Sequence, residues 1–326
     1  MSKVWFKTHT VDMRVLDVTK ITSLIKSWLY ADMLLKPEEL IMYRPPSHGG
    51  LGIQNVKLKA MAGMITTFLE TAGNPKFMQS LFHSILFRYH VLDETSLPDP
   101  GFPPYYSKEF FCKIRQVHLE SPMNVFHMTE KMWYRLLLED NCIMEEGEYI
   151  KCRVERMTPN TEWERCWALA RLPGLGPGNV SFLFKLLHQI LPTQERVART
   201  KPNTSPNCRN SVCIDTLDDV QHALIHCQAN DGVGDLLVQS VRGVVPGLQV
   251  ESLLRLELNL DTDMQLPVVF LIATVLNAVW SLRVRGVRVQ QYLVRSELEA
   301  KINLLRETRH QEAANKLSEL AVTMFQ

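Results

Sequence analysis

The chain has 326 residues, enough for two or three compact units at roughly 100–200 residues per domain. Its apolar fraction of 46% and charged fraction of 22% belong to a folded globular chain and exclude intrinsic disorder. The net charge of +1 gives no global attraction for a polyanion, so any nucleic-acid affinity must come from local clusters.

In chain order, Val18, Ile21, Leu24, Ile25, Trp28 and Leu29 recur at i, i+3, i+4 spacing and predict a core-facing amphipathic helix. Leu58, Met61, Ala62, Ile65, Phe68 and Leu69 predict another over 57–72, which Gly73, Asn74 and Pro75 end. Further helices are expected over 76–92, 107–119 and 129–139, with Ser107 and Thr129 as N-caps, because their hydroxyls can accept a free first-turn N–H. Residues 148–157 alternate weakly around Tyr149 and Val154 and predict an edge strand or hairpin arm. Pro and Gly concentrate at 44–50, 97–104 and 171–178, and the aperiodic stretch 201–213 adds a fourth break. Residues 266–282 are apolar except for Thr274, Asn277 and Ser281. They reach only the lower edge of bilayer-spanning length, and the expectation is a buried core helix with no membrane partner. The fold class expected is mainly α, with a small aperiodic insertion and a helical C-terminal tail. The divisions expected are 1–56, a helical unit 57–157, a helix-plus-knuckle unit 158–230 and a helical region 231–326.

There are seven cysteines, an odd number, and the opening Met-Ser-Lys-Val-Trp contains no apolar signal core. A reduced intracellular compartment, nucleus or cytoplasm, follows as the expectation, and there clustered Cys with His suggests metal rather than disulfide. Cys112, Cys142, Cys152 and Cys166 have no His at ligand spacing and read as buried or incidental thiols. Cys208-x4-Cys213-x8-His222-x4-Cys227 is different. Two close thiols, a short polar loop, then His and Cys four residues on can surround one tetrahedral zinc. His226 is an alternative to His222, disfavoured because it adjoins Cys227. Four protein ligands leave no position for water, so the expected zinc is structural.

Other constellations read as inert. Tyr30-Ala31-Asp32-Met33 lacks the second acid of a two-metal polymerase site. Asp261, Asp263, Glu251 and Glu257 read as solvated helix ends, and Gly174, Gly176 and Gly178 as a Pro/Gly connector. No catalytic residue and no small-molecule substrate are assigned.

Immediately before the cluster lies Leu187-His188-Gln189-Ile190-Leu191-Pro192-Thr193-Gln194-Glu195-Arg196. This order, with the Cys-Cys-His-Cys set, the run Gln221 to Cys227 and Val-Val-Pro-Gly at 244–247, resembles the region after the thumb in non-LTR (LINE-type) retrotransposon reverse transcriptases. Trp28-Leu29, Lys36-Pro37-Glu38-Glu39, Tyr43-Arg44-Pro45-Pro46 and Gly49-Gly50-Leu51-Gly52-Ile53 are similar to the segment that follows the palm in that family. The chain departs from the family in its wider first Cys pair and in lacking the paired-aspartate motif.

The resemblance implies a non-catalytic fragment that contacts template RNA or target DNA, with the polymerase portion of the same element as a further partner. Around the knuckle, His188, Thr193, Arg196, Arg199, Lys201 and Arg209 are the candidate contacts, since Lys and Arg fix position on phosphates. Arg288 and Arg295 add a pair two turns apart on one helix face. Trp5, Phe6, Trp133 and Trp167 are read mainly as core, with base stacking as the alternative. The rival readings are a helical protein-interaction scaffold and an inert retroelement remnant, each braced by the same zinc.

Overall fold

The computed structural model describes residues 15–30, 35–73, 112–114, 116–117, 125–141, 143–145, 148–213, 215–308 and 310–325. These are mainly α-helical, as the periodicity predicts, and fall into two compact units. The helix expected over 76–92, the Pro-rich break at 97–104, Ser107, Trp5, Phe6, Asp32 and Cys142 lie outside the described residues, as does most of 107–119.

In the first unit, α1 (Val15–Tyr30), α2 (Val56–Gly73) and α3 (Glu130–Asp140) are joined by a minimal hairpin of β1 (Met144–Glu145) and β2 (Glu148–Tyr149). Asn55 starts α2 by accepting the Leu58 N–H on its side-chain oxygen at 3.2 Å. Thr129 caps α3 as expected, accepting from Met132 N at 3.4 Å. Leu58, Met64, Ile65 and Phe68 of α2 and Trp133 and Leu137 of α3 are buried, and the two helices pack together. Lys59 joins Glu130 at 2.6 Å, and the Tyr134 hydroxyl accepts from Asn55 N at 2.8 Å. The predicted core-facing stripe of α1 is only partly so: Leu24 and Trp28 face solvent.

The second unit holds 33–41, 45–51 and 151–326 around one core. Its helices are α4 (Arg153–Met157), α5 (Trp163–Leu169), α6 (Pro177–Leu187), α7 (Gln194–Thr200), α8 (Val233–Val244), α9 (Val250–Arg255), α10 (Thr262–Val284), α11 (Gln291–Glu307) and α12 (Gln311–Met324). The expected strand over 148–157 is a two-residue strand followed by α4. The Glu155 carboxylate accepts the Cys152 N–H at 2.7 Å and the Trp167 indole N–H at 3.1 Å. That capping contact converts the weak alternation into a helical turn.

The central element is α10, packed by α6, α8, α11 and α12. It is long and apolar enough to cross a bilayer, and 67% of that apolar stretch is buried inside the unit. Val268, Val269, Leu271, Ile272, Ala273, Val275, Leu276 and Val279 have no measurable exposure. Its polar positions are satisfied laterally: Asn179 of α6 donates to Thr274 Oγ1 at 2.9 Å, and Asn277 donates to Asn179 Oδ1 at 3.3 Å. Gly286, at φ 69°, ends the helix path, and residues 287–290 run without regular structure into α11. Arg288 therefore sits in a connector while Arg295 sits on α11, so the two do not share a helix face. The helical period does not hold over 288–295, because regular structure begins only at Gln291.

Candidate metal centre

Three local devices bring the ligand residues together. Residues 206–218 close into a small loop: Asp218 N donates to Pro206 O at 3.0 Å, Cys208 N to Thr216 O at 2.8 Å, and Cys213 N to Asn210 O at 2.9 Å. The Asn210 side chain accepts from Val212 N at 3.1 Å, tightening the turn that presents Cys213. A π-helical turn, His222–His226, then places His222 at its start and Cys227 just beyond its end. Asp219 caps it by accepting the His222 N–H at 2.7 Å. The widened turn also brings α8 close. A Cβ at Gly234 would lie 2.3 Å from the Ile225 carbonyl oxygen, so this helix–turn approach needs glycine.

The potential ligand atoms of Cys208, Cys213, His222 and Cys227 all lie within 4.8 Å of one another, and this group could hold a metal ion. The Cys208–Cys227 and Cys213–Cys227 sulfur separations are 3.9 and 3.8 Å. A disulfide would need about 2.05 Å. Two thiolates on a tetrahedral ion with Zn–S of about 2.3 Å stand about 3.8 Å apart. The His222 ring is buried, and its Nε2 has no hydrogen-bond partner. Burial lowers the pKa of that imidazole, which favours the neutral form a metal requires. Burial also raises the Cys227 thiol to about 11. His226 is outside the group, exposed and facing Asp235 and Gln221.

One neighbour of the cluster was missed by spacing arguments. Arg283, in the last turn of α10, donates from Nη1 to Cys227 Sγ at 3.5 Å and from Nη2 to Cys208 Sγ at 3.7 Å. Its Nη2 also pairs with the buried Asp218 carboxylate. Burial would lower the Arg283 pKa, but the Asp218 charge and the hydrogen bond to Cys208 override it and hold the group above its usual value. Fifty-six residues separate Arg283 from Cys227, and only the packing of α10 brings them together.

The basic positions divide by burial. His188 is buried, stacked on Trp167 with ring centroids 4.7 Å apart, and its Nε2 donates to Gly49 O at 2.6 Å. Thr193 is buried as well, at the N-cap of α7. Neither reaches a surface phosphate, because the Leu-Pro-Thr stretch turns inward to close the core. Arg196 is half-buried and donates to Gln189 Oε1 at 2.9 Å, and Arg199 pairs with Glu195 one turn away. Lys201, Arg209 and Arg288 are exposed. Arg295 is exposed but paired with Glu299 at 2.9 Å. Arg209 and Arg288, far apart in sequence, line one groove together with Cys208, Arg283 and Trp280. Trp133 and Trp167 are buried core residues, unavailable for stacking, whereas Trp280 is partly exposed in that groove. Comparison with protein-family models, curated proteins and solved structures finds no match to this chain.

Proposed function

We propose that this chain is a non-catalytic, intracellular nucleic-acid-binding region braced by a structural zinc ion, related in kind to the region that follows the palm of LINE-type reverse transcriptases. The observation that carries the reading is the groove in which a Cys3His donor set adjoins Arg209 and Arg288. Among the described residues neither arginine forms an ion pair, so both are free to meet phosphates. Zinc suits the donor set because it takes thiolate and imidazole ligands tetrahedrally, and four protein ligands leave no open position for chemistry. Trp280 adds an aromatic face to the same groove, the combination that single-stranded nucleic acid uses.

Fluorescence anisotropy with single-stranded RNA and DNA, alongside zinc quantified by mass spectrometry, tests the proposal. About one zinc per chain is expected. With two phosphate contacts, affinity for a single strand should fall roughly 7-fold between 50 and 200 mM salt. Reversing both charges, Arg209→Glu with Arg288→Glu, should remove most of the binding and leave zinc content unchanged. Absence of binding, or binding indifferent to salt, would favour the protein-scaffold or inert-remnant readings instead.

A further inference from the structure

Resting on the zinc reading above, we propose that Arg283 is a positioning residue of the metal centre: its guanidinium orients the Cys208 and Cys227 sulfurs and balances the charge of the loaded site. Three thiolates, a neutral imidazole and a divalent ion sum to a net charge of −1. That charge lies partly shielded from solvent, where an uncompensated charge is costly. Arg283 brings the opposite charge and two separate N–H donors, one to each of two sulfurs, at 3.5 and 3.7 Å. Lys could not reproduce this fork with a single ammonium.

The geometry is fixed from behind. Asp218 is buried, pairs with Arg283 through Oδ1, and accepts the Gln194 N–H on Oδ2 at 2.9 Å. The Asp218 backbone carbonyl also accepts from Glu195 N at 3.3 Å. One carboxylate thus ties the start of α7, the knuckle loop and the end of α10 to the arginine. Outer contacts of this kind orient ligands and set metal affinity. An ion pair between Arg283 and Asp218 alone would not require the guanidinium to face two sulfurs.

The test compares wild type with Arg283→Met, Arg283→Lys and, as a control from the same turn, Arg285→Met. Zinc affinity is read by competition with a chromophoric chelator, and the sulfur-to-metal charge-transfer band is read after cobalt substitution. Arg283→Met should weaken zinc binding about 10–100-fold and shift the cobalt band, because two sulfurs lose N–H donors. Arg283→Lys keeps the charge beside Asp218, so it should fold, bind with intermediate affinity and show a smaller band shift. Arg285→Met should match wild type. Wild-type affinity and an unchanged cobalt spectrum in Arg283→Lys, or in a folded Arg283→Met, would overturn the positioning role while leaving the zinc reading intact. A folded wild type that takes up neither metal would overturn both.

Discussion

Gly234 and Gly243 lie on the same helix, α8, yet their surroundings demand opposite outcomes from the same substitution. At Gly234 an added Cβ would fall 2.3–2.4 Å from the Ile225 carbonyl oxygen and Cα, both backbone atoms that cannot rotate away. At Gly243 nothing stands within 4 Å. Gly243→Ala should therefore stabilise the fold by about 0.5–1 kcal/mol, since alanine loses less backbone freedom on becoming helical. Gly234→Ala has the same propensity gain but must push α8 off the π-helical turn, at a cost of about 1–3 kcal/mol. Urea denaturation of the two variants checks the sign of each. If Gly234→Ala is as stable as wild type, the close approach is not a constraint. Because His222 and Cys227 flank that turn, Gly234→Ala should also lower zinc occupancy, while Gly243→Ala should not.

At the scale of elements, Glu155 shows how a single contact decides between helix and strand. The stretch 148–157 alternates weakly in sequence, and nothing in that alternation reveals that Glu155 folds back onto the Cys152 N–H and the Trp167 indole. Replacing Glu155 with Ala leaves two buried donors unpaired, each costing about 1–3 kcal/mol. Global stability should fall by at least the lower figure in urea denaturation, and an unchanged midpoint would refute the role of the cap.

The helices α1, α2, α3 and α10 were legible because a 3.6-residue repeat or a long apolar run survives tertiary packing. The four-ligand set was legible because its members lie close together in the chain. Long-range terms were not. Arg283 is drawn to the sulfurs only by the course of α10, His188 is drawn inward by Gly49, and Arg288 lies in the irregular stretch before α11 begins at Gln291. Surface or core status for a lone His or Arg depends on which distant backbone meets it, and periodicity does not carry that information.

At the scale of the second unit, the knuckle and the helical core should answer differently to loss of metal. Among the described residues of 201–218 few apolar side chains are buried: Cys213 is buried, Val212 and Leu217 are exposed, and the others are polar apart from Pro202, Pro206 and the half-buried Cys208. Their order rests on short turns and on whatever the four ligands hold. The packing of α6, α8, α10, α11 and α12 is apolar and owes nothing to those ligands. Chelation should consequently release the loop and leave most of the helix signal in circular dichroism. Trypsin reports this directly, because Arg209 lies in the loop and is followed by Asn210: cleavage there should accelerate at least about tenfold with chelator, as local opening replaces a closed site, and zinc should restore protection.

Acidification should mimic chelation. In the metal-free site burial holds the Cys227 proton up to about pH 11, so metal uptake must displace protons and weakens as pH falls. Burial lowers the His222 pKa, so its ring stays neutral to lower pH than an exposed imidazole and protonates only later in the descent. Equal cleavage with and without chelator would mean that the turns at 206–218 hold the loop unaided. Collapse of the whole helical signal would mean that the core depends on the metal through Arg283 and Asp218, a stronger coupling than apolar packing alone predicts.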